Sequence, residues 1–196
     1  MRVLQEAGAS HVLDLTVHQK DSSALNVAYL ALYDTDEGKK LVYLNLECVD
    51  TSAFDIASVF GPAFEFISRG RRAGRGVLVH CEAGISRSAS VVMAYLVETG
   101  ACATMKDAYE HVSRCRPQVQ PNLGFALQLF EWEKEKLGLL EISDFYYDYV
   151  LSVHHLTGKF TAGQLKEASR GAQNIFEALM TLLNKEPNEK LSVPLN

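Results

Sequence analysis

Val77-Leu78-Val79-His80-Cys81-Glu82-Ala83-Gly84-Ile85-Ser86-Arg87-Ser88 is the stretch around which the chain organises. Gly74-Arg75-Gly76 opens it, and the three apolar residues that follow read as a short strand of the buried, parallel kind. Beyond the loop, Ser88 to Glu98 (SASVVMAYLVE) is apolar on most sides and reads as a buried central helix that stops near Gly100. Strand, tight loop and buried helix in direct succession predict an α/β layer architecture.

The loop itself suits a thiolate nucleophile acting on a phosphate dianion. Between Cys81 and Arg87, the backbone N–H groups of Glu82, Ala83, Gly84, Ile85, Ser86 and Arg87 can converge on phosphate oxygens, and the helix that follows adds its positive N-terminal end. Gly84 permits the curvature. The same dipoles favour thiolate over thiol at Cys81. Arg87 brings a planar fork for bidentate phosphate binding, which lysine lacks. Ser88 is placed to hydrogen-bond the Cys81 sulfur and help it leave in a second step, and His80 to buttress the loop. A strand followed by Cys and Gly can also be plain core, but the nine-residue run His80–Ser88 outweighs that reading.

Upstream, Val3–Ala9 reads as a short helix ended by Gly8, before a strand at His11–Thr16. Two more strands are expected near Leu25–Tyr33 and Leu41–Leu46, as a hairpin or bulged pair around the turn-rich Asp34–Gly38. Ile56, Val59, Phe60, Phe64 and Ile67 recur at helical spacing, with Gly61-Pro62 expected to interrupt or kink the helix. Downstream, one helix starts at Thr104–Asp107 and ends before Arg116-Pro117, and another spans Asn122–Lys136. From Phe145 onward two amphipathic helices broken at Gly158 are expected, Thr161 and Gln164 forming a capping box, with a frayed end over Lys185–Asn196.

With 196 residues, 47% hydrophobic and 22% charged, the chain can bury one substantial core with a small appendage. Residues 1–139 are read as the main domain and 140–196 as a helical extension. A net charge of −5 argues against binding nucleic acid or acidic membranes through bulk electrostatics. Cys48, Cys81, Cys102 and Cys115 form no CxxC pair and no zinc spacing, so no metal and no cofactor is expected. No apolar run approaches the roughly 18 residues of a membrane span, and no secretory signal or sequon is present. A soluble, cytoplasmic protein is expected, with the nucleus also open to it. Its oligomeric state is not legible.

HCEAGISRSAS resembles the active-site signature of the dual-specificity protein phosphatases, a branch of the cysteine-based protein tyrosine phosphatase superfamily. GASHVLDLT resembles that family's early strand, YLNLECVDTSAFDI its general-acid loop, and CRPQVQPNLGFALQLFEWE its closing helix; together they cover roughly residues 2–138. The resemblance implies a central, mostly parallel sheet flanked by helices. It implies hydrolysis of phosphotyrosine and phosphoserine or phosphothreonine in proteins through a cysteinyl-phosphate intermediate. Asp50 becomes the general acid, although spacing alone cannot separate it from Asp55, and Asn122 becomes a brace for the loop or, on local grounds, a helix N-cap.

Two departures from the family pattern are visible. The sequence opens at or inside the family's first helix, so the strand that usually precedes it is not expected within these residues, and the stretch His18–Lys40 reads as longer than the usual link. Rival readings are a lipid, glycan or RNA phosphatase on the same fold, or a weakly active phosphoprotein-binding scaffold. Glu82 and Ile85 stand in the loop where phosphoinositide relatives carry lysines, and scaffold relatives commonly lose the cysteine or arginine. Arg69, Arg71, Arg72 and Arg75 suit a solvated helix end better than an acidic-substrate patch. Cys48 and Cys115 are better read as packing residues than as disulfide partners of Cys81, and His154-His155 as surface or packing residues.

Overall fold

The computed structural model describes residues 8–17, 29–34 and 40–185. The expected helix Val3–Ala9 falls outside them apart from Gly8 and Ala9, as do the turn at 35–39, most of the long link and nearly all of the tail end. Ala9 opens a strand rather than closing a helix. Residues 1–140 and 141–196 form two compact units.

Among the described residues of the first unit, a four-stranded sheet has the order β2-β3-β1-β4, built from β1 (Ala9–Asp14), β2 (Tyr29–Asp34), β3 (Lys40–Asn45) and β4 (Gly76–His80). β1 pairs in parallel with both β3 and β4, in registers that set Leu13 beside Leu44 and Val79. β2 runs antiparallel to β3 without a bulge, from Tyr29 opposite Asn45 to Asp34 opposite Lys40. The sheet is therefore mostly parallel. Val12 and Leu13 point to opposite faces of β1, yet both are buried, so protein covers both faces there.

β4 departs from its expected burial. It pairs on one side only among the described strands, and Val77 to His80 are half-buried. Strands β1, β3 and β4 end level, at Asp14, Asn45 and His80, where open α/β sheets place their ligands.

Ile56–Val59 forms a 3-10 turn that passes into α1 (Phe60–Arg72). Gly61 and Pro62 occupy the first α-helical turn, where proline's missing N–H has no intrahelical partner to lose, so no interior kink results. α2 (Arg87–Glu98) is the buried helix, with Ser88, Val91, Met93, Ala94 and Tyr95 all enclosed. α3 (Met105–Cys115) starts at a Thr104–Asp107 capping box. α4 (Leu123–Leu137) starts at Asn122 and buries Phe125 completely, a side chain whose truncation to alanine costs about 3–5 kcal/mol in comparable cores.

Among its described residues the second unit holds three helices rather than two: α5 (Asp144–Val153), α6 (Ala162–Ser169) and α7 (Ile175–Lys185). Thr161 and Gln164 form the capping box of α6. The periodicity of Leu165, Ala168, Ala172, Ile175 and Leu179 hides a break at Gly171 and a fresh start. There Asn174 Oδ1 accepts from Glu177 N at 2.9 Å, and Glu177 Oε2 accepts from Gln173 N at 2.7 Å.

Candidate active site

The loop between β4 and α2 turns its carbonyls outward, and each carbonyl from Ala83 to Ser86 has a donor. Arg116 Nη2 donates to Ala83 O at 2.9 Å and Arg116 Nε to Gly84 O at 2.7 Å. Gln120 N donates to Ile85 O at 3.0 Å, while Ser90 N and Oγ both donate to Ser86 O at 2.9 Å. Outward carbonyls leave the opposite sides of the same peptides facing Cys81. Gly84 sits at φ +66°, the left-handed region that glycine tolerates best.

Cys81 is buried, and its sulfur lies 3.3 Å from Ser88 Oγ. Burial alone would push this thiol up. The Ser88 hydroxyl, the Ser88 and Gly84 N–H groups and the Arg87 charge outweigh it and hold Cys81 below the ordinary thiol value. The neighbouring Cys48 shows the contrast: burial pushes it up to about 12 even with Arg87 nearby.

Arg87 is pinned by the strand ends. Its Nη1 donates to Cys48 O at 3.2 Å and Leu15 O at 3.4 Å, and Leu15 N donates to His80 O at 2.9 Å. Its Nε is buried without a hydrogen bond, although Asp50 Oδ2 lies 3.4 Å away. Glu82 Oε2 stands 3.7 Å from Nη2 on a side chain that is 87% exposed. Ser86 is the N-cap of α2 but makes no side-chain cap bond; its hydroxyl donates to Asp50 Oδ1 at 2.9 Å instead.

Asp50 is carried by the segment after β3, and α4 holds that segment at three points. Asn122 Nδ2 donates to Asp50 Oδ1 at 2.9 Å. Gly124 lies so close to the Ser52 backbone that a Cβ there would collide with it. Gln128 accepts from Ile56 N at 2.8 Å and donates to Phe54 O at 2.9 Å. Asp55 instead caps the 3-10 turn, accepting from Ser58 N at 3.2 Å. Asn122 caps Phe125 N at 3.0 Å, and its own N–H donates to Ser86 Oγ at 3.2 Å.

Beside Cys81 in sequence, His80 Nε2 lies 3.7 Å from the buried carboxylate of Asp14. Burial alone would raise Asp14. Hydrogen bonds from the Tyr43 hydroxyl at 2.5 Å, and from Thr16 Oγ1 and N, hold it below its ordinary value, with His80 adding to them.

Asp14, Tyr43 and Gln128 therefore join the site without having been singled out in the sequence, and Arg116 and Gly124, quoted there within the closing-helix signature, join it through contacts that signature did not specify. Their partners lie some 29 to 74 residues away, and no local pattern marks such pairings. Among the described residues, no three His, Cys, Asp or Glu side chains gather as a metal site, and no helix is long and apolar enough to cross a membrane. All four cysteines are free, Cys48 buried and Cys115 exposed. Arg69 pairs with Glu65 at 3.0 Å, and Arg71, Arg72 and Arg75 are exposed at and just beyond the end of α1.

Fold and site together define an α/β protein that presents a cysteine–arginine anion loop at its strand ends. The catalytic-domain model of the dual specificity phosphatases matches residues 2–135, and the chain belongs to that family. Human dual specificity protein phosphatase 5 is 46% identical over 88 residues, 45% of this chain and 23% of that protein. Drosophila melanogaster Mpk3 is 36% identical over 127 residues, 60% of this chain and 31% of that protein. The chain thus spans under a third of the length of these curated relatives. Of solved structures, human DUSP28 aligns with a TM-score of 0.57 at 26% identity, covering 69% of this chain and 82% of that one. The human tyrosine phosphatase-like serine/threonine/tyrosine-interacting protein aligns at 0.55 and 30% identity, covering 70% and 84%.

Proposed function

We propose that this protein is a cysteine-dependent phosphatase acting on phosphotyrosine and phosphoserine or phosphothreonine in proteins, with residues 1–139 as catalytic domain and 140–196 as a helical extension. The observation that supports this best is the pairing of a thiol held low, Cys81, with a buried guanidinium whose Nε makes no hydrogen bond. Phosphate oxygens would take the inward N–H groups of Glu82 to Arg87 and the Nε edge of Arg87, which makes no hydrogen bond.

In the first step the Cys81 thiolate forms the S–P bond as the ester P–O bond breaks, and protonated Asp50 gives its proton to the leaving oxygen. In the second, Asp50 takes a proton from water, the hydroxide oxygen bonds to phosphorus, and the S–P bond breaks. The Ser88 hydroxyl, 3.3 Å away, then receives the departing thiolate. His80 and Asn122 support the loop from either side. Free thiols throughout fit the proposed reducing, cytoplasmic setting.

The direct test is hydrolysis of an aryl phosphate in EDTA by the full chain, with Cys81→Ser alongside. Turnover by wild type and none by the variant is expected. A folded wild type without turnover, or a variant as fast, rejects the mechanism. A panel of phosphopeptides, inositol lipids and phosphoglycans then tests the substrate class, with peptides expected to lead.

A further inference from the structure

We propose that Arg116 is a positioning residue for the catalytic loop: by gripping the carbonyls of Ala83 and Gly84 it fixes the inward set of the peptide N–H groups that meet the Cys81 sulfur and a bound phosphate. The inference rests on the phosphate-handling role proposed above and adds to it a residue outside the loop and outside the general-acid segment.

The local sequence shapes the clamp. Arg116 ends α3 and precedes Pro117, whose ring disfavours helical backbone in the residue before it; Arg116 accordingly sits at φ −143° and ψ 91°. The turn then closes through Val119 N to Arg116 O at 3.1 Å, and Val119 is buried. Gln120 N is thereby presented to Ile85 O, so one five-residue segment holds three successive loop carbonyls. Of these bonds only the two from Arg116 come from a side chain, and its planar fork is what lets two adjacent carbonyls be held at 2.7 and 2.9 Å at once.

Among the described residues, Arg116 supplies the hydrogen bonds given for the Ala83 and Gly84 carbonyls, while Gln120 N holds the next one, Ile85 O. Ala83 and Gly84 border a cavity of about 380 Å³, walled by Leu78, Val92, Val112 and Val119, rather than packed core. Cys81, Glu82 and Ser88 also line it, so the cavity borders the catalytic loop itself. A carbonyl released by Arg116 could rotate toward the cavity, and its peptide N–H would swing away from Cys81. Gly84 matches the clamp, since a Cβ there would stand 2.8 Å from Arg116 Nη2. The charged and titratable groups around Cys81 are Arg87, Asp50, Cys48, His80 and Glu82; Arg116 acts on the sulfur through the peptides instead.

The test compares full-length wild type, Arg116→Ala and Arg116→Lys. Mass spectrometry of the Cys81 peptide gives the rate of alkylation by iodoacetamide against pH, with and without inorganic phosphate as protectant. For Arg116→Ala the alkylation midpoint should move toward the ordinary thiol value by about half to one pH unit. Protection by phosphate, and kcat/KM, should weaken about tenfold, less than the roughly 100-fold or more lost with an oxyanion donor itself. Arg116→Lys, keeping the charge without the fork, should lie clearly below wild type in both. A folded Arg116→Ala with the wild-type midpoint and protection overturns the proposal. So does Arg116→Lys matching wild type, which would assign the effect to charge alone. Should the alanine variant not fold, Arg116→Lys and Arg116→Gln decide by the same criteria. A wild type that fails on aryl phosphate rejects the phosphatase reading separately, since alkylation and protection need no turnover.

Discussion

Asn122 donates its side-chain amide to Asp50 Oδ1 at 2.9 Å across 72 residues of sequence, and the same side chain caps the helix that begins beside it. One residue thus links the start of α4 to the carboxylate proposed above as the acid. A serine at this position keeps the cap but is too short to span to Asp50. Asn122→Ser is therefore expected to stay within about 0.5 kcal/mol of wild-type stability while kcat on an alkyl phosphate falls about tenfold. Asn122→Ala should lose that activity and about 1 kcal/mol besides. Urea unfolding and steady-state kinetics check both.

Asp50 and Asp55 separate cleanly by substitution. Asp50→Asn removes the transferable proton and should lower kcat about 100-fold or more on phosphoserine peptides, with a smaller loss on aryl phosphates, whose leaving group needs less protonation. Asp55→Asn should leave both rates nearly intact, because asparagine caps the 3-10 turn about as well as aspartate. Parallel kinetics on the two substrate types decide it.

The thiols differ in direction. Cys81 is held below the ordinary value and Cys48 is pushed up to about 12, so iodoacetamide near neutral pH should label Cys81 and spare Cys48. Ser88→Ala removes the hydroxyl bonded to the sulfur and should move the Cys81 alkylation midpoint upward. Peptide-resolved mass spectrometry across a pH series reads this directly.

Glu133 lies buried in α4, its Oε1 accepting from Met105 N at 2.5 Å and its Oε2 without a hydrogen bond. Burial raises this carboxyl above its ordinary value, with Asp107 adding to the rise and the Met105 N–H opposing it. A raised native value means that the folded state binds the proton more tightly. The resulting stability is fully present below the unfolded value and is lost as pH rises through the native one. Glu133→Gln does not titrate, so its stability relative to wild type should climb between acid and neutral pH. Thermal unfolding of the two proteins at several pH values tests the sign.

Much of the fold was legible because it is written locally. Val77-Leu78-Val79, the apolar face of Ser88–Glu98 and the Thr104 and Asn122 starts are patterns of neighbours, and the structure places elements within a residue or so of each. Where local rules conflicted, the reading slipped. Periodicity alone carried a single helix through Gly171, and Gly61-Pro62 suggested a kink at what is the first turn of α1. The burial of β4 depends on which strand lies beside it, which its own five residues do not record.

By itself the sequence determined the strand–loop–helix unit, with Cys81, Arg87 and Ser88 at the spacing their chemistry needs, because loop curvature and helix polarity follow from adjacent residues. Only the tertiary structure set Asp50 beside Arg87 and Asp55 at the 3-10 turn, diverted the Ser86 hydroxyl from its helix to Asp50, and set Arg116 against Ala83 and Gly84. Apart from the Asp55 cap, those relationships join residues more than 30 positions apart, and such hydrogen bonds exist only once the sheet and α4 have brought their ends together.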